Sequence, residues 1–268
     1  MLASNRPLVM GILNVTPDSF SDGGSYLTPE TALQHARKML AEGADIIDIG
    51  GESTRPGAEP ITAQIELDRV APAVQLLRSE TDAIISVDTS TAAVMQEVSP
   101  MCDLINDVRA LVRPGALAAA ADSGLPICLM HMRGEPKTMQ DHPVYDHLIN
   151  DIIEFFNSRI AICEAANIDR RRLLIDPGFG FGKTPDDNLV LLNRLAEFLC
   201  LKLPILVGLS RKSTISKIVG SGAALTIGSV VGAVLAINSG ASIVRVHDVA
   251  ETVAALKMMQ ASKREQLL

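Results

Sequence analysis

The sequence predicts a single-domain (β/α)8 barrel spanning residues 1–268, and three observations point there. Eight short runs rich in Ile, Val, Leu and Met recur along the chain. They are Leu8–Val15, Asp45–Gly51, Ala83–Asp88, Asp103–Val108, Pro126–Met132, Leu173–Asp176, Pro204–Ser210 and Ser242–His247. Nearly continuous apolar runs of this length are expected of parallel strands covered on both faces. A segment with helix signals follows each run, which is the pattern of parallel α/β folds. Nearly every run also ends in a polar residue: Asn14, Glu52, Asp88, Asn106, His131, Asp176, Ser210 and His247. In an open sheet, at about 4.8 Å per strand step, the first and last of these would stand roughly 34 Å apart. A closed barrel brings all eight to one mouth, where barrel enzymes place their sites.

The elements can be justified in chain order. Thr28-Pro29 offers a cap and a proline at the first helical position. Leu33, Ala36 and Leu40 then form an apolar stripe, and Gly43 can close the helix in the left-handed region. Pro72 lies inside the next helical pattern and should kink or split it. The insert from 133 to 168 should hold the longest helix, after the polar loop GEPKTMQDHP. Asp248, with Glu251 three residues later, resembles a capping box for the last helix.

Composition narrows the function. A chain of 268 residues that is 47% hydrophobic can bury a large core. A net charge of −7 opposes general nucleic-acid binding, which needs a basic face. Aromatics make up 3% and Trp is absent, so base-stacking platforms are not expected. Cys102, Cys128, Cys163 and Cys200 lie far apart, so reduced thiols in the cytoplasm are the expectation. Arg6 is followed by an apolar run broken at Asn14, without a small-residue cleavage site, so no signal peptide is expected. No apolar run approaches the ~20 residues of a membrane span.

The stretch LLIDPGFGFGKTP carries the strongest single signal. Asp176 ends an apolar strand, Pro177 stops it, and Gly178, Gly180 and Gly182 let backbone approach a ligand closely. GFGFGKT imitates a phosphate loop, but Gly178 and Gly182 enclose only three residues and Pro177 stands where the first glycine should be. The spacing fits neither a Walker A loop nor a dinucleotide fingerprint. The five histidines form no HExxH or similar metal-ligand pair.

Other strand ends add polar groups. Asn14 opens into a loop rich in Asp, Ser and Gly that could close over a site. Thr54 and Arg55 follow the second strand, where a guanidinium fork could grip an anion. Asp88, Asn106, Asp107 and Asp176 would make the mouth acidic and amide-rich. That suits a flat heterocycle with adjacent N–H donors, because a carboxylate accepts two parallel hydrogen bonds. Each of these residues could equally cap a following helix. Lys212 and Ser213 lie where a helix should begin, and Arg245 and His247, two apart on one strand face, form a basic pair. His131 reads as a satisfied mouth histidine rather than a catalyst.

MGILNVTPDSFSDGG, GGESTRPGA, SVDT, INDV, DPGFGFGKT, GLSRKS and RVHDV, in this order, resemble the dihydropteroate synthase family of pterin-binding TIM barrels. The likeness covers nearly the whole chain. It departs at VGSGAALTIGS, where the family usually carries an arginine-bearing loop and this chain keeps only Gly228-Ser229.

The resemblance implies condensation of 6-hydroxymethyl-7,8-dihydropterin diphosphate with p-aminobenzoate in folate biosynthesis. It implies that Asp88, Asn106, Asp176 and Lys212 hold the pterin, and that Asn14, Thr54, Arg55, Arg245 and His247 hold the diphosphate. Asn14 would supply an oxygen to Mg2+. Pro56, Phe181, Ser213 and Phe20 would border the aminobenzoate, with Asp22 arriving beside Phe20 as the first loop closes. Asp88, Asp176, Lys212, Asp22 and Arg55 would carry the catalysis. The resemblance further implies a homodimer through late helices, and sensitivity to sulfonamides. The main alternative is a pterin-dependent methyltransferase acting on a corrinoid protein. A pterin-binding scaffold without activity and a P-loop nucleotidase are weaker readings.

Overall fold

The computed structural model describes residues 6–16, 28–55, 57–141 and 143–263. Eight parallel strands run in the order β6-β5-β4-β3-β2-β1-β8-β7. They are β1 (Leu8–Asn14), β2 (Ile46–Gly50), β3 (Ile84–Asp88), β4 (Leu104–Asp107), β5 (Ile127–Met130), β6 (Leu173–Asp176), β7 (Leu206–Val207) and β8 (Ile243–Val246). The two ends of the sheet meet through a parallel bridge between Ile175 and Ile205. The Ile175 amide donates to the Pro204 carbonyl there at 3.0 Å. The sheet is thus a nearly closed barrel, as expected.

All eight strands lie within the stretches read from the sequence. Most are a residue or two shorter, and β7 is cut to two residues. Pro204 has no N–H to give the ladder, and the chain turns away after Val207.

The alternation of side chains along each strand explains where the site must lie. One set faces outward under the helices and forms the main core, with Ile47, Ile49, Ile85, Val87, Ile105, Leu129 and Ile175 among it. The other set faces inward. At the amino ends it is apolar: Leu8, Met10, Ile46, Leu104, Cys128, Leu174, Leu206 and Ile243 fill the barrel's lower interior. Two residues further on, the same inward positions are Asp48, Ser86, Asn106, Asp176 and Arg245. The interior therefore changes from hydrocarbon to charge within one pleat repeat.

The helices are α1 (Pro29–Ala41), α2 (Ala63–Glu80), α3 (Ala92–Val98), α4 (Ala116–Ser123), α5 (Leu148–Ala165), α6 (Pro185–Asn193), α7 (Ser213–Val219), α8 (Ala223–Asn238) and α9 (Val249–Ser262). Thr28 caps α1 with a reciprocal bond to Thr31. Ala32, Ala36 and Met39 are its buried face, with Leu33 and Leu40 only partly covered. Gly43 takes φ +103°, as its position after the helix requires. Three expectations are corrected. Pro72 lies inside the continuous helix α2 and does not split it. α5 shares its 18-residue length with α2. Asp248 makes no side-chain cap on α9 because its carboxylate is taken by Arg211, at 2.5 Å.

The Gly228-Ser229 pair has a packing role. A Cβ on Gly228 would stand 2.7 Å from Ile215, so only glycine lets α8 lie this close to α7. Ser229 Oγ accepts the Arg211 amide at 2.9 Å. Among the described residues all four cysteines are free, and no single helix is long and apolar enough to cross a membrane.

Candidate active site

A cavity of about 880 Å3 opens at the carboxyl ends of the strands. Its floor is built by adjacent strands in register. Asn14 pairs with Gly50, Gly50 with Asp88, and Asp88 with Asn106. Gly50 puts no side chain on this rung, which leaves Asn14 and Asp88 facing each other across it. Asp176 joins from the end of β6. Lys212, just before α7, reaches inward, and its Nζ lies 4.0 Å from the centre of the Phe181 ring. Ser213 is the first residue of α7 and also borders the cavity.

Arg245 enters from the middle of β8. Its Nε donates to Asp48 at 2.6 Å and its Nη2 to Asp88 at 3.0 Å. Thr54 and Arg55, after β2, and His247, after β8, complete the rim. Of the eight polar strand-end residues, all but His131 line this one cavity. Pro56, Phe20 and Asp22 lie outside the described residues.

Burial dominates the electrostatics. It pushes the Asp176 carboxyl up to about 6, against the pull of the Gly178 amide and Lys212. It pushes Asp88 upward as well, and the Arg245 guanidinium draws it back. Lys212 is lowered to about 8 by burial and by Arg245. Burial and Arg245 also bring His247 down to about 4, so it is neutral near pH 7. The expected basic pair is therefore a single cation, Arg245, beside a neutral imidazole whose Nδ1 lies 3.0 Å from Ser210 Oγ.

Two other acidic residues at the strand ends are held by protein donors. Asp107 is fully buried and accepts from Ser90 Oγ and from the Arg109 and Leu111 amides. It caps its own loop, whereas its neighbour Asn106, on the opposite face of β4, looks into the cavity. Glu52 accepts from Arg109 at 2.9 Å and from Arg113 at 3.0 Å, tying the loop that carries Thr54 and Arg55 to the turn after β4.

The glycine-rich stretch gains a physical account. Gly178 takes φ +74°, and a Cβ there would lie 1.9 Å from the His131 carbonyl oxygen. Lys183 is 2% exposed and points inward. Its amine reaches His131 Nδ1 at 2.9 Å, the Gly178 carbonyl at 2.9 Å and the Phe181 carbonyl at 3.2 Å. Burial pulls this amine down to about 7, while three acceptors around three N–H donors favour the ammonium form. His131, pushed down to about 2 mainly by burial, is neutral and serves as one of those acceptors. The lysine of GFGFGKT therefore braces the loop from inside and cannot meet a phosphate.

Asp48 was missed by reading strand ends alone. It is completely buried and lies one pleat repeat below the mouth. Ser86 Oγ and Asn106 Nδ2 donate to it besides Arg245. Its signal was available in IIDIG, as a lone carboxylate two positions after an inward isoleucine.

Residues 10–247 match the pterin binding enzyme family. Together with an acidic, amide-bearing pocket at a barrel mouth, this defines a pterin-binding barrel enzyme. Dihydropteroate synthase of Escherichia coli strain K12 is 51% identical over 260 residues, covering 96% of this chain and 92% of the relative. A Yersinia pestis dihydropteroate synthase solved with a sulfonamide drug superposes with a TM-score of 0.93 at 54% identity, over 96% of this chain and 94% of that one. A Xanthomonas albilineans dihydropteroate synthase in complex with 7,8-dihydropteroate gives a TM-score of 0.88 at 45% identity, over 97% and 95%. The chain belongs to the dihydropteroate synthases.

The buried lysine yields a first test. Lys183→Met should lower unfolding stability by about 2 kcal/mol or more, because buried carbonyls lose their donor. Urea titration measures this, and an unchanged midpoint would remove the amine from the support of the loop.

Proposed function

We propose that this chain condenses 6-hydroxymethyl-7,8-dihydropterin diphosphate with p-aminobenzoate, forming 7,8-dihydropteroate and diphosphate. The observation that carries the proposal is the convergence of Asp88, Asn106 and Asp176 on one floor, with Lys212 and Arg245 beside them. The carboxylates and the amide accept from the N–H edge of the pterin, and Lys212 donates to its carbonyl oxygen. Arg245, Arg55 and Thr54 face the diphosphate, with neutral His247 donating or accepting at the rim. Phe181 and Ser213 border the aminobenzoate. The family resemblance adds Phe20, Asp22 and Pro56 to the same proposal.

The reaction we infer is a dissociative substitution. The bond between the exocyclic methylene and the diphosphate oxygen breaks, and the electron pair leaves with diphosphate. The pterin ring spreads the resulting positive charge, which the carboxylates of Asp88 and Asp176 stabilise. The aniline nitrogen attacks the methylene and then loses a proton. Positioning and electrostatics supply the catalysis, and no protein nucleophile is required.

Among the described residues no cluster of three or more acidic, His or Cys side chains could hold a metal by itself. The donor available at the first strand is the neutral amide oxygen of Asn14. That suits Mg2+, which keeps several waters and shares phosphate oxygens with a substrate. Bound there, Mg2+ would neutralise charge on the leaving diphosphate.

A homodimer is part of this proposal. Ile227, Val231 and Leu235 recur every four residues on α8 and are 64%, 50% and 48% exposed. Ile218 on α7, 61% exposed, adds to the same late-helix region. A second copy of the chain would cover this stripe.

The reaction is tested by product analysis with both substrates. Diphosphate and dihydropteroate should form in equal amounts, and a chelator should slow their formation. Asp176→Asn should weaken pterin binding by about 100-fold, the loss of a charge-assisted bidentate contact, with the fold intact; wild-type affinity by calorimetry would refute the assignment. Sulfonamides should compete with p-aminobenzoate, and uninhibited turnover at saturating drug would remove Phe181 and Ser213 from that subsite. Sedimentation at micromolar concentration should give twice the chain mass, and a monomer would leave the α8 stripe without the partner assigned to it.

A further inference from the structure

Two carboxylates share one guanidinium beneath the pterin floor, and they are not equivalent. Asp48 is 0% exposed and its hydrogen bonding is complete. One oxygen accepts from Ser86 Oγ, the other from Arg245 Nε and Asn106 Nδ2. Asp88 is 9% exposed and lines the cavity. Among the described residues its carboxylate has one hydrogen-bond partner, Arg245, at the longer distance of 3.0 Å against 2.6 Å.

Arg245 keeps only 20% of its side chain exposed, and a guanidinium so largely buried must keep a counter-ion. If Asp88 were the sole partner of Arg245, a ligand taking Asp88 would leave that charge unpaired. We propose that Asp48 is the permanent counter-ion of Arg245, so that Asp88 can exchange Arg245 for an incoming heterocycle without stranding a buried charge. Asp48 is then a positioning residue that acts through Arg245. It also sets the amide of Asn106. An ionised carboxylate only accepts, so Nδ2 must face Asp48, and Oδ1 is left to accept from a ligand.

The inference rests on the pterin reading of Asp88, and binding of 6-hydroxymethylpterin by the wild-type chain tests that reading separately. Asp48→Asn keeps the shape but removes the charge. Arg245 then falls to Asp88, and affinity for 6-hydroxymethylpterin, which lacks the diphosphate, should fall at least about tenfold. Adding Arg245→Met to Asp48→Asn frees Asp88, so affinity should return to within about threefold of wild type. A merely structural Asp48 would give a double variant no better than the single one, and that result overturns the proposal. So does an Asp48→Asn variant that binds like wild type. A crystal structure of the wild-type chain with 6-hydroxymethylpterin requires no variant to fold. Arg245 should remain on Asp48 while its contact with Asp88 opens, and a structure in which Arg245 leaves Asp48 refutes the exchange.

Discussion

A guanidinium largely enclosed by a barrel needs a carboxylate, and Arg245 has two. That requirement organises the upper half of the interior. Asp48 lies on β2, Asp88 on β3 and Arg245 on β8, so one charged group ties together strands that sit on either side of β1. Asn106 on β4 joins through Asp48. The polar floor is therefore one connected network rather than four independent side chains. Such networks hold a unique geometry only when every member is satisfied. Here the unsatisfied valence faces the cavity, where a ligand can meet it.

The network is possible because the hydrocarbon below it is complete. Leu8, Met10, Ile46, Leu104, Cys128, Leu174, Leu206 and Ile243 close the barrel's amino end and keep water from the charged layer on that side. Burial raises Asp176 and lowers Lys212 together. Acid and base at the pocket are thereby brought toward neutral pH, where binding a ligand can fix both charges. The loop after β6 is braced in the same manner, by a cation placed inside it: Lys183 gathers the carbonyls that the glycine turns expose.

Much of this was legible in the sequence. The barrel followed from eight apolar runs with polar ends, and Asp88, Asn106, Asp176, Lys212 and Arg245 were found together because a closed sheet leaves strand ends nowhere else to go. What escaped was set by interactions between distant residues. Asp48 sits mid-strand, so a rule based on strand ends passes over it. Asp248 carries a capping pattern, but Arg211, 37 positions earlier, takes its carboxylate. His247 follows a basic residue in sequence, and burial beside that same residue is what keeps it neutral. Asp107 and Asn106 are neighbours in the chain, and the pleat sends them to opposite faces.

The same alternation explains why the mouth can be both rigid and responsive. The inner members of the network, Asp48 and Ser86, are wholly buried and have only protein partners to choose from. Asp88, above them in the network, lines the cavity together with Asp176 and Lys212, where each can meet a ligand. A charge pair placed entirely in the outer layer would compete with substrate. One placed entirely in the inner layer would never touch it. Arg245 spans both, because its long side chain enters from the middle of β8 and ends at the floor. Its reach converts a structural ion pair below into a reactive surface above.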